Sequence, residues 1–250
     1  LFKWVADKSL RRSLRRISRL YCQTATMCKR SHEVLHFPKD RIGLCPNAFS
    51  PSIQLRNRWP EELKSLQGRF LLLCMTKYYP HKNLEIIVET FSRYSDLLRD
   101  VTCVIPIDKS QGDGALDLIN RIHSDGLEDQ IVCIGAIPQK RLGEFYFATD
   151  VVFLPTLLES FSGTYLEAMH LERPILTSDR DFALEVCGDA AVYIDPLSTK
   201  SIKDGILMLK NSRFIREEIV AKGREQLKQH LNTWPDILRN VLDQEDIEHD

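Results

Sequence analysis

The sequence has no Cys-x-x-Cys pair, no glycine-rich phosphate fingerprint, and no apolar run long enough to span a bilayer. Each absence removes a class of protein. The seven cysteines are scattered (Cys22, Cys28, Cys45, Cys187) or lie inside apolar, strand-like runs (Cys74, Cys103, Cys133). An odd number at such spacings speaks against a zinc site and a disulfide framework, and it suits buried thiols in a reducing cytoplasm. Without a P-loop or dinucleotide glycine pattern, neither an ATPase nor an NAD enzyme is expected. The run Phe70-Leu-Leu-Leu-Cys-Met75 falls far short of the ~20 residues of a membrane span. No secretory signal is visible and the first residue is Leu, so a piece of a longer chain is expected.

Net charge is also nearly absent, at -1, but it conceals an asymmetry. Residues 1–30 hold Lys3, Lys8, Arg11, Arg12, Arg15, Arg16, Arg19, Lys29 and Arg30 against Asp7 alone, a balance of +8. The remainder therefore carries -9 and ends in the acidic tail Asp243-Gln-Glu-Asp-Ile-Glu-His-Asp250. Over residues 7–20, Leu10, Leu14, Ile17 and Tyr21 recur at helical spacing among the arginines, the pattern of a basic amphipathic helix. Such a helix either meets anionic head groups or an acidic acceptor, or packs its apolar stripe on its own domain.

The 250 residues suffice for one large or two modest domains, and 43% hydrophobic with 28% charged residues is ordinary for a globular protein. The spacing predicts a strand near 20–27, a helix over 28–37 stopped by Pro38, and a strand over 41–45 ending at Pro46. The stretch 52–67 reads as a linker with a short helix. From Arg69 the pattern becomes regular. Strands are predicted at 70–75, 101–107, 130–134, 150–154, 174–177 and 190–194. Helices alternate with them at 83–94, 115–123, 139–147 and 163–171, with a single turn at 182–186, and later helices cover 199–211, 213–230 and 234–243. Continuous apolar strands alternating with amphipathic helices imply a doubly wound α/β fold with a parallel sheet. Such sheets bind ligands at the carboxyl ends of their strands, so the residues there carry the functional question.

Three strand ends stand out. After the first come Lys77 and Lys82 on one loop with His81 beside them; two ammonium groups there can share a diphosphate, or simply be solvated. After the strand at 130–134 comes Gly135, either an ordinary turn glycine or one that lets a flat group approach the backbone. After Val151-Val-Phe-Leu154 comes Pro155-Thr-Leu-Leu-Glu-Ser-Phe-Ser-Gly-Thr-Tyr-Leu-Glu167, a strand, a loop and a helix N-terminus, where backbone N–H groups meet an anion. Glu159 and Glu167 lie eight positions apart. An acid/base pair of the glycoside-hydrolase kind is one reading. Glu167, early in a helix and followed by Ala168 and Met169, is poorly placed to activate water. It fits better as an acceptor for adjacent hydroxyls, or as a complement to the helix dipole.

The segment Glu159 to Glu167 resembles the Glu-x7-Glu motif of retaining family-four glycosyltransferases of the GT-B fold. Pro46-Asn47 resembles that family's Pro-Asn-Gly element, and Lys77 and Lys82 its Arg…Lys pair. Gly135, Phe145-Tyr146 and Ala148-Thr-Asp150 resemble its base-binding turn and following helix, and Pro174-Ile-Leu-Thr and Trp234 its later strand and closing helix. The likeness covers roughly 20–240. Lys77 for Arg, Ser160 and Ser162 where Gly is common, and Ala48 for Gly are its departures. The resemblance implies that Lys77 and Lys82 neutralise a nucleotide diphosphate and that backbone amides of Phe161, Ser162, Gly163 and Thr164 cap its distal phosphate. It implies that Glu167 holds the ribose, Glu159 faces the transferred sugar, and Gly135 and Ile137 line the base pocket.

It further implies a nucleotide-sugar donor with anomeric retention, no metal or other cofactor, and a glycan or lipid-linked acceptor rather than nucleic acid. The expected location is the cytoplasm, at a membrane face if the helix over 7–20 binds lipid. The domain reading is residues 1–48 as the remnant of an acceptor-side domain, 49–68 as linker, 69–232 as the nucleotide-sugar domain, and 233–250 as closing helix and tail. Few residues precede the linker, so the chain is expected to supply mainly the donor site. A nucleotide-binding module without transfer activity and a GT-B nucleotide-sugar epimerase are the competing readings.

Overall fold

The computed structural model describes residues 9–10, 12–47, 53–230 and 234–246. Contacts divide the chain into two compact units, 1–49 with 232–250, and 50–231.

In the first unit, β1 (Leu20–Cys22) pairs in parallel with β2 (Ile42–Leu44), and α1 (Ala25–Glu33) connects them. The strand expected to reach Met27 stops at Cys22 because Thr24 caps a helix: its hydroxyl accepts from the Met27 N–H at 3.2 Å. That helix also ends at Glu33, short of the predicted Phe37. The basic helix expected over 7–20 is helical at 9–10 and 12–14, while 7, 8 and 11 lie outside the described residues. By Ile17 the chain has left the helix, and the Arg41 guanidinium binds the carbonyls of Ile17 and Ser18. The helix at Trp234–Asp246 belongs to this unit, where the Tyr21 hydroxyl reaches the Val241 carbonyl at 3.4 Å.

The larger unit is a six-stranded parallel sheet in the order β5-β4-β3-β6-β7-β8. Its strands are β3 (Phe70–Leu73), β4 (Val101–Ile105), β5 (Ile131–Cys133), β6 (Val151–Leu154), β7 (Ile175–Ser178) and β8 (Val192–Ile194). Their crossovers carry α2 (Glu85–Arg93), α3 (Asp113–Ser124), α4 (Leu142–Ala148), α5 (Gly163–His170) and α6 (Asp181–Cys187). Two helices, α7 (Thr199–Asn211) and α8 (Arg213–Leu227), follow β8, and Trp234–Asp246 is α9. The doubly wound parallel architecture read from the sequence is thus present. The stretch taken for a single turn at 182–186 is the longer α6.

Periodicity explains the layers. All four residues of β6 are buried, as a strand covered on both faces requires. On α2, Ile87, Val88 and Phe91 are fully buried and share one core with Leu118 and Ile122 of α3 and Ile202, Ile206 and Leu209 of α7. Right-handed crossovers place α2 and α3 on that face and, once the chain reverses its travel across the sheet after β5, α4 and α5 on the other. The reversal leaves β3 and β6 as neighbours, Leu72 beside Val151 and Leu73 beside Val152, the switch point at whose carboxyl ends such sheets bind ligands.

The segment after residue 52 packs onto this unit. Leu63, in a 3-10 stretch over Glu61–Leu66, is buried, and Arg141 binds both oxygens of Glu62 at 2.7 and 2.8 Å. The Arg56 N–H donates to the Gly143 carbonyl at 3.3 Å, and the neighbouring Gln54 backbone crosses α4 at Gly143 itself.

Candidate active site

Lys77 and Lys82, Gly135 and Ile137, and Glu159 with the loop to Ser162 follow the carboxyl ends of β3, β5 and β6, while Ala148-Thr-Asp150 precedes β6. Two chain reversals bring Lys82 and Glu159 together. After β3 the chain forms a 3-10 turn, Pro80–Lys82, and then turns left-handed at Asn83 (φ 58°, ψ 40°) before α2 begins. After β6 it runs from Pro155 to Ser162, whose extended backbone opens α5. The Leu157 N–H donates to the His81 carbonyl at 2.8 Å, so the two loops run side by side. Across them the Lys82 ammonium donates to Glu159 Oε2. Both side chains are mostly shielded, 16% and 20% exposed, so this pair is screened less than a surface one.

Lys77 is separate from that pair. Its side chain is exposed, and among the described residues no hydrogen bond or ion pair holds its ammonium. Tyr79 and His81 stack between the two lysines, their ring centroids 5.5 Å apart.

The N-terminus of α5 is open. Ser162 makes no side-chain cap, the first turn carries no acidic residue, and a Cβ added at Gly163 would meet nothing within 4 Å. Uncapped N–H groups at a helix N-terminus can meet an anion. The Phe161 side chain is buried and meets the His230 ring edge-on at 6.1 Å, which anchors the loop.

Glu167 sits one turn further on, half-buried, and accepts a 2.7 Å hydrogen bond from the fully buried Tyr146 hydroxyl of α4. Burial raises the Glu167 carboxyl above its ordinary range, and the Tyr146 bond offsets part of that rise. Burial first, and then the Glu167 charge, push the Tyr146 hydroxyl well above its own range, so it stays a donor.

Gly135 adopts φ +70° while its N–H donates to the Ile107 carbonyl at 3.0 Å. A side chain there would lie 3.3 Å from Asp108 Oδ2. Asp108 accepts from the Ser110 backbone and hydroxyl and from the Ala136 backbone, which hold its carboxyl below the usual range and tie the loops after β4 and β5 together. Ile137 follows, half-buried.

Tyr146, Asn83 and Asp108 received no separate role from the sequence. Asn83 alone carried a readable signal, since an Asn just before a helical run is a common left-handed residue. Among the described residues, no three His, Cys, Asp or Glu side chains are grouped so as to hold a metal ion, and no helix is long and apolar enough to cross a membrane.

The family described as glycosyl transferases group 1 matches residues 56–226, well over half of the chain. An uncharacterized glycosyltransferase of Methanocaldococcus jannaschii is 20% identical over 234 residues, covering 88% of this chain and 59% of that protein. The O-antigen chain mannosyltransferase RfbU of Salmonella typhimurium is 22% identical over 215 residues, covering 83% and 59%. The chain thus spans about three-fifths of the length of these two relatives. Among solved structures, Anabaena HepE in complex with UDP and glucose superposes with a TM-score of 0.80 at 15% identity, covering 95% of this chain and 66% of that one.

Proposed function

From a chain that belongs to the glycosyl transferases group 1 family, we propose a donor half-site that takes a nucleotide-diphosphate sugar and passes its sugar, with retention, to an acceptor hydroxyl. The observation that carries this reading is the meeting of Lys82 and Glu159 beside the open N-terminus of α5. As the sugar leaves, negative charge collects on the diphosphate. A lysine ammonium has three donors, and Glu159 engages one, so others remain for phosphate oxygens. The exposed Lys77 ammonium and the amides of Gly163 and Thr164 add fixed positive potential around the same charge. Glu159, held by Lys82, faces the sugar and opposes the positive charge that grows there. Glu167, oriented by Tyr146, accepts from the ribose hydroxyls, and Gly135 with Ile137 leaves room for the base. The structure of HepE with UDP and glucose supports a nucleotide sugar as the donor class. The acceptor is a glycan or a lipid-linked sugar, and the basic N-terminal segment suits a membrane face. No step in this scheme calls on a metal.

Calorimetry with UDP, GDP and ADP tests the half-site. One of them is expected to bind, and Lys82→Ala to weaken it by about 1.5–3 kcal/mol, the scale of a charge-assisted contact. Equal affinity in the variant removes Lys82 from the site. Binding without turnover of any nucleotide sugar by the full-length protein would instead mark a binding module, and acceptor-free isomerisation an epimerase.

Glu167 adds a pH dependence whose sign follows from its environment. A carboxyl raised by burial takes up a proton sooner on acidification, and a protonated Glu167 accepts less well from ribose. Nucleotide-sugar affinity is therefore expected to fall as pH drops toward the ordinary carboxylate range from above. The diphosphate of a nucleotide sugar stays ionised there, so the slope reports the protein. Glu167→Gln is expected to bind more weakly and to flatten that profile. For folding the sign is opposite: the folded chain favours protonated Glu167, so this group's contribution is full at low pH and is lost as pH rises through its raised folded value.

A further inference from the structure

Asn83 holds three strand-end loops with one amide. Its Nδ2 donates to the Pro155 carbonyl at 3.1 Å and to the Pro196 carbonyl at 2.8 Å, partners 72 and 113 residues away. Pro155 immediately follows β6, and Pro196 lies two residues beyond β8. Its backbone N–H meanwhile donates to the Pro80 carbonyl at 3.2 Å and closes the turn that carries Lys82. The residue is left-handed, a conformation most side chains resist and Asn tolerates.

The contacts between the first two loops run in order. Residue 83 holds 155 through its side chain, residue 81 holds 157 through its backbone, and Lys82 between them meets Glu159. The ion pair therefore sits on a frame whose end post is Asn83. Aspartate at this position presents only acceptors to two carbonyls, and glycine keeps the turn but loses both bonds.

Resting on the proposed function for its chemical meaning, we infer that Asn83 is the positioning residue of the donor site. Its amide fixes the loops after β6 and β8 against the loop after β3, and so sets the spacing of Lys82 and Glu159 that a diphosphate must meet.

The test compares wild-type full chain, Asn83→Gly, Lys82→Ala and the double variant by amide exchange and by calorimetry with UDP, GDP and ADP. In Asn83→Gly without ligand, exchange at the Leu157 amide is expected to quicken about tenfold while the buried amides of β3 and β4 keep their rates. The nucleoside diphosphate that binds wild type is expected to bind Asn83→Gly about tenfold more weakly, the scale of a small misplacement of site groups. Adding Asn83→Gly to Lys82→Ala is expected to cost nothing further, because the two act on one contact. Unchanged Leu157 exchange overturns the inference, and so do losses that multiply in the double variant, since a merely structural residue behaves that way. Quickened Leu157 exchange in a protein that binds none of the three nucleotides supports the clasp and overturns the proposed function instead.

Discussion

Glu159→Ala is expected to lower the turnover of the full-length protein by on the order of 10²–10³-fold, the cost of one preorganised electrostatic group. Nucleoside diphosphate binding is expected to survive, because Lys82 and the amides of α5 remain and Lys82 loses the partner that engaged one of its donors. This split separates a group facing the sugar from one facing the phosphates. Glu159→Gln sharpens it by keeping shape while removing charge, and is expected to fall close to the Ala variant. Steady-state rates beside calorimetric affinities decide the matter. Full turnover in either variant refutes a role for this carboxylate, and a parallel loss of nucleotide binding would move Glu159 to the phosphate end.

Gly143→Ala is expected to destabilise the larger unit by about 3 kcal/mol, the upper end of what overpacking usually costs. An added Cβ would stand 1.8 Å from the Gln54 carbonyl oxygen and 2.9 Å from its carbon, and both are backbone atoms that no rotamer change can move aside. The alternative to strain is loss of the crossing, including the Arg56 to Gly143 hydrogen bond. Denaturant midpoints measure the first, and amide exchange at Arg56 the second. Wild-type stability together with wild-type exchange would show that the segment does not cross there in solution.

The sheet was legible because its strands are short continuous apolar runs, which only doubly covered strands tolerate, and because each is followed by a 3.6-residue pattern. Glu159 and Glu167 were legible for the opposite reason: carboxylates flanking a helix start just after a buried strand do not fit the apolar pattern of the core. Spacing cannot reveal partners distant in sequence. Tyr146 reads as another apolar face residue of α4, and nothing nearby foretells that its hydroxyl meets Glu167, 21 residues away. Thr24 could have been read, since Thr before a helical run is a cap, but the apolar residues around it outweighed that signal. The two lysines looked equivalent on one loop. Lys82 ends a 3-10 turn and is shielded against Glu159, while Lys77 precedes the turn and is exposed.

The junction between β3 and β6 bears on how the chain acquires its chemistry. Two residue pairs align there, against four between β3 and β4 and three between β6 and β7. Each flank is built from strands joined by a single crossover, local topology that forms readily, while the junction must bring distant parts together. Lys82 and Glu159, 77 residues apart, straddle it. On the proposed function, the two charges of the ion pair meet only where the two flanks of the sheet dock, so a half-docked chain carries both without presenting them as a pair.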